Sequence, residues 1–252
     1  MTPGHQLKLD RALERADALK RDIGRWSVKH QTDAFRRDRG PQPDQYRVTY
    51  LGASDPPESW SLDIGDCLYA LRSGLDHLAF ALAVAFTPAM TDGQRAGSEF
   101  PIFGARPMNA REKAAKIGCI HPAAQAVIES LQPHLRGNEY ARDPLWMLQE
   151  LSNIDKHRLL LTTVGGHSGT GLGGTVAIRS GFMGGGSDEP GTVISDFIAT
   201  AIPGHKMDMR LTTSLGIRFA EGPAKGREPV RTLLDIHDHI AKAVVPALTP
   251  FL

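Results

Sequence analysis

The run LDIGDCLYALRSGLDHLAFALAVAF, Leu62 to Phe86, decides how the rest of the chain is read. Ile64, Leu68, Leu71, Leu75, Leu78 and Leu82 recur at three- and four-residue steps, so a helix here carries one unbroken apolar stripe. Ser61 or Asp63 is suited to cap its start. Beyond His77 the run LAFALAVAF has no polar side, which predicts a helix buried all round at the centre of a bundle.

Working outward, Leu9, Leu13, Ala16, Leu19, Ile23 and Trp26 predict an amphipathic first helix from about Leu7 to His30. FRRDRGPQPD, Phe35 to Asp44, has the charge and Gly/Pro content of a loop. Tyr46, Val48 and Tyr50 then alternate as a short strand, one arm of a hairpin. Thr87 to Arg106 reads as an irregular connection holding the apolar turn FPIF, Phe100 to Phe103. Pro122 opens a helix from His121 to Leu131, and Asp143 with Pro144 opens another that runs to Leu161.

After Thr162 glycines loosen the chain, and SGTGLGG reads as a flexible hairpin connection rather than a dinucleotide cradle. A second glycine bend lies at Gly184 to Gly186. TVAIRSGF, TVISDFIATAI and KMDMRLTTSLGIRFA alternate as strands of an antiparallel sheet of three or four strands. In the last of these, Met207, Met209, Leu211 and Thr213 share one face. Glu228 and Pro229 open a closing helix to Leu248, whose strong apolar face needs the earlier helices as partner. The expected fold is therefore α+β in a single domain over residues 1–252. Four to five helices occupy 1–161 and 229–248, with a small antiparallel sheet over 162–222.

Twenty-nine Lys and Arg against 28 Asp and Glu give a net charge of +1, so no global field draws the chain to polyanions. Any RNA partner has to meet a local site. Cys67 and Cys119 lie outside metal spacing and read as buried, reduced thiols, as expected of a cytoplasmic protein. The N-terminal stretch has no signal-peptide core, and no apolar run approaches about 18 residues, so no membrane partner is expected. Phosphate-loop, dinucleotide and nucleophile-elbow signatures are absent from the sequence, and no cofactor is called for.

Two polar motifs interrupt this apolar pattern. In RSGLDH, Arg72 and Asp76 share a side at four-residue spacing, and His77 sits where a polar strip turns apolar. In NIDKHR, Asp155 projects among Leu148, Leu151 and Leu159, Arg158 reaches it at three-residue spacing, and His157 lies with Glu150 and Asn153. If the two helices pack side by side, Arg72, Asp76, His77, Asp155, His157 and Arg158 meet in one polar cluster. Three readings stay open for it. It is a structural network that fixes helix register, or a catalytic centre with a histidine acid/base and an arginine stabilising negative charge. The third is a metal-dependent hydrolase, for which Asp235, His237, Asp238 and His239 are the nearest candidate ligands.

The order LRSGLDHLAFAL, FPIF, LQPH, DPLWMLQELSNIDKHRLLL resembles an uncharacterised bacterial protein family of this size, over Leu62 to Leu161. That likeness implies no activity. Arg72, Ser73 and His77 are also similar to the hallmark of the HEPN superfamily of helical bundles, an arginine, a polar residue and a histidine on one helix. This resemblance implies a metal-independent ribonuclease of RNA processing or defence, with His77 as acid/base and Arg72 as the phosphate-stabilising cation. It also implies a homodimer, because the HEPN pair acts across one. The β segment and the lack of basic excess depart from that superfamily.

Overall fold

The structure is a computed structural model, and it describes residues 3–184 and 189–252, with the backbone alone for 166–170. The bend at Gly184 to Gly186 therefore lies partly outside the described residues. The fold is α+β, with two antiparallel sheets and a helix at the C-terminal end. The chain divides into two compact units, Met1–Leu19 with Ser59–Leu161 and Glu221–Leu252, and Lys20–Glu58 with Thr162–Ala220. Helix α1 (Gly4–Ala34) contributes residues to both.

The first unit is helical. Its centre is α2 (Ser59–Phe86), whose six stripe residues from Ile64 to Leu82 are all fully buried. Ser61 does not cap this helix, which begins at Ser59; its hydroxyl instead donates to the Leu160 carbonyl at 2.7 Å. The expectation of burial on every side fails at the C-terminal end of α2. Phe80, Val84 and Phe86 stay exposed, because the burial covers Leu78, Ala79, Leu82 and Ala83 on the other side of the helix. Cys67 is buried and donates to the Ala12 carbonyl, and burial, then Asp66, pushes its thiol up to about 12. Cys119 is only half-buried.

Short helices α3 (Asp92–Gly97) and α4 (Ala110–Ile117) stand in the connection that follows. Each has a reciprocal capping box, Thr91 with Gln94 and Asn109 with Glu112, a signal that a search for apolar periodicity passes over. Next come α5 (Pro122–Ser130), a 3-10 segment over Pro133–Arg142, and α6 (Pro144–Asp155), each α-helix with proline in its first turn. Asp143 caps α6 by accepting from the Leu145 amide at 2.8 Å. Helix α7 (Pro229–His239), capped by Glu228, continues through a π-turn at Ile240–Val244 into α8 (Val245–Leu248). It packs on α2 and α6, as its apolar face requires.

The second unit is mostly sheet. FRRDR is not a loop: β1 (Phe35–Arg39) pairs with β2 (Gln45–Tyr50) in a hairpin that turns at Asp44, where φ is 55°. Only Phe35 of β1 is buried, so the four charged residues make a solvated edge strand that sequence pattern alone assigns to a loop. The hairpin joins β4 (Val176–Met183) and β5 (Val193–Ala201) in the order β1-β2-β5-β4. The sheet thus draws on the N-terminal half as well as on 162–222.

The glycine-rich stretch is also no hairpin connection. It forms the long strand β3 (Thr162–Gly174), paired with β6 (Met209–Phe219) and ending at Gly174, where φ is 98°. In β6 the alternation holds but its buried part lies further along than expected: Thr213, Leu215, Ile217 and Phe219 are buried, Met209 and Leu211 only half-buried, and Met207 is exposed before the strand begins. Ala34, Phe35, Val48, Tyr50, Ile194 and Leu215 form a core, with Trp26 packed against it.

At Gly181 φ is +109°, and an added Cβ would lie 2.2 Å from the Asp196 carbonyl oxygen of the paired strand. Both the backbone conformation and the close approach exclude a side chain. Gly181→Ala is expected to destabilise the chain by about 1–3 kcal/mol, read as a lower urea midpoint at unchanged slope.

Candidate functional site

Helices α2 and α6 pack in the first unit and run antiparallel, since Gly65 meets Asp155 at one end while Arg72 meets Gln149 further along. The seam expected between RSGLDH and NIDKHR therefore exists. What lines it differs from the expectation.

Arg72 and Asp76 form an ion pair at 3.0 Å, and together they hold both backbone polar groups of one residue. Nη2 of Arg72 donates to the Phe100 carbonyl at 2.6 Å, and the Phe100 amide donates to Oδ1 of Asp76 at 3.0 Å. Nη1 of Arg72 donates to Gln149, whose amide donates in turn to Asn153, each at 3.3 Å. Phe100 is completely buried, so its non-helical backbone needs these partners.

The rest of FPIF is tied in the same way. Buried Gln132 accepts from the Phe103 amide at 2.9 Å and donates to the Pro101 carbonyl at 2.9 Å. The Phe103 carbonyl accepts from the His134 amide at 3.1 Å. Residues Glu99 to Phe103 thus make a strap laid across α2 and pinned by side chains rather than by a strand ladder. Gln132 belongs to the LQPH motif, and its role was hidden because one glutamine in a helix-breaking turn carries no periodic signal.

Beside the strap lies an open cavity of about 420 Å3. Tyr69, Arg72, Ser73 and Asp76 come to it from α2, Glu99, Phe100, Ile102 and Phe103 from the strap, Lys116 from α4, and Gln149 and Lys156 from α6 and its end. The ammonium of Lys116 contacts the Glu99 carboxylate. Burial, followed by Arg72, pushes Lys116 below its ordinary value, and Asp76 works against both. Lys116 and Glu99 escaped the sequence reading because they flank the FPIF connection in segments without periodicity.

The remaining candidates stand elsewhere. His77 is exposed, and its ring lies against Gly4 and acts on His5 at the start of α1. His5 is buried with its Nδ1 unpaired, and burial, then His77, lowers its basicity. Helix α6 ends at Asp155, short of Leu161, because Lys156 and His157 turn and the chain leaves as an extended segment. His157 and Arg158 are consequently exposed, and Arg158 pairs with Glu221 at 3.2 Å rather than with Asp155. Asp155 sits over Gly65, and burial, then Asp66, raises its carboxyl. Of the six candidates, only Arg72 and Asp76 share a site.

The DIHDHI group gives no metal centre. Asp235 pairs with Arg231 and Asp238 with Lys242, and among the described residues no three of His, Cys, Asp and Glu converge as ligands. Comparison with known proteins finds no family model, curated protein or solved structure that matches this chain.

Arg72→Ala leaves the Phe100 carbonyl and the Asp76 carboxylate without their partner, so a loss of about 2–3 kcal/mol is expected in chemical denaturation. Arg72→Lys restores only part of it, because one ammonium cannot serve both acceptors and Gln149 in the guanidinium's geometry.

Asp155 has the opposite sign. Its folded carboxyl titrates above the unfolded one, so its contribution is fully present at low pH and lost as pH rises through the raised value. Asp155→Asn is therefore expected to raise the melting temperature at neutral pH and to leave it unchanged below about pH 3.5. A gain that persists in acid would contradict the desolvation account.

Proposed function

We propose that this chain is a binding protein for a small polar molecule, with the cavity beside the strap as its site. The observation that carries this is the convergence of charged and polar side chains from α2, the strap, α4 and the end of α6 on one open volume of about 420 Å3. That volume falls within the range of about 300–1,000 Å3 usual for small-molecule sites. A few fixed polar groups beside apolar Ile102 and Phe103 are the ordinary furnishing of such a site.

The ribonuclease implied by the HEPN resemblance needs Arg72 and His77 at the same phosphodiester. Arg72 spends its donors on Asp76, Phe100 and Gln149, whereas His77 faces Gly4 and His5. This favours a structural role for RSGLDH over acid/base chemistry at one scissile bond. The reading of a polar network that fixes the fold is thereby absorbed into the binding protein, as the frame of its site.

His77→Ala separates the two readings, because His77 is exposed and its loss spares the strap. Full-length protein and the variant, incubated with single-stranded RNA, are expected to leave the RNA equally intact. Cleavage by the parent that disappears in His77→Ala would overturn the binding reading in favour of a nuclease.

A further inference from the structure

Resting on the binding reading above, the geometry points to a small organic oxyanion, a phosphate monoester or a carboxylate, as the occupant of the cavity, held by Lys116, Lys156 and Arg72. Three cations and two carboxylates line the volume, which leaves one net positive charge. The two carboxylates are not equivalent. Asp76 is committed to the Phe100 amide and to Arg72 inside the frame. Glu99 is half-exposed on the strap and acts as a replaceable counterion of Lys116.

Lys156 caps the C-terminal end of α6, and among the described residues no carboxylate pairs with it. A fourth basic group stands beside the lining residue Tyr69, where Lys8 lies 5.5 Å from the centre of its ring. Lys116 is held in partial burial beside Arg72, an arrangement that needs an anionic partner, which Glu99 supplies. An oxyanion that displaces Glu99 satisfies Lys116, meets the unpaired Lys156 and offsets Arg72 at once. A neutral ligand does none of these, and a cation meets the wrong sign.

Matched pairs of probes test this on the full chain by titration calorimetry: ribose 5-phosphate against ribose, and benzoate against benzyl alcohol. The charged member of at least one pair is expected to bind and its neutral counterpart not, with affinity falling as salt is raised; the two pairs distinguish phosphate from carboxylate. Lys156→Gln, exposed and outside the frame, is expected to weaken binding about five- to tenfold. Glu99→Gln is expected to tighten it, because the competing carboxylate is gone, whereas a pair of purely structural value gives no such gain.

Binding of the neutral members alone would overturn the oxyanion while leaving the cavity a binding site. Failure of all four probes would overturn the oxyanion together with the binding reading. Anion binding indifferent to both substitutions would place the ligand elsewhere on the surface and overturn the assignment.

Discussion

A buried residue whose backbone lies outside any helix or ladder is the constraint on which the helical unit turns. The amide and carbonyl of Phe100 lie beneath the surface, with no neighbouring strand to take them, and leaving either unpaired costs about 1–3 kcal/mol. Arg72 and Asp76, one turn apart on α2, meet both groups at once. Gln132 does the same for Pro101 and Phe103 with a single neutral amide. Each of these side chains meets backbone that has no helix or ladder partner of its own.

The same arrangement borders the cavity. The strap is held to α2 by Arg72 and Asp76, and both of these side chains also line the open volume beside it. The charges that pin the strap also set the field inside that volume. Asp76 and Arg72 nearly cancel, which leaves the balance to Lys116, Glu99 and Lys156, residues that no part of the frame requires.

Apolar periodicity made the long elements legible. The leucine stripe of α2 and the alternation of β6 follow from spacing, and the starts of α6 and of the closing helix from an acidic cap followed by proline. Elements whose partners are non-local were not legible. Charged FRRDR is a strand because β2 supplies its ladder, and glycine-rich β3 is one because β6 does. The end of α6 fell six residues short of the predicted one, since NIDKHR continues the apolar pattern while Lys156 and His157 break the backbone. The early end took His157 and Arg158 out of the expected cluster, while Asp155 sits over Gly65 and His77 lies against Gly4. Arg72 and Asp76 met as their four-residue spacing demands, but their further partners came from Phe100 in FPIF and Gln149 on α6, which no spacing within α2 announces.

Arg72 therefore carries two meanings that a simple loss of binding cannot separate. Removing it takes a cation from the cavity, yet it also releases the Phe100 peptide and lets the strap move, so binding would fall for either reason. Lys156 and Glu99 are free of this ambiguity: both reach the cavity, neither holds the strap's buried Phe100 peptide, and they carry opposite charge. Their substitutions push binding in opposite directions only if the field in the cavity decides what enters it. A protein whose polar centre served the fold alone would feel both changes as small effects at the surface.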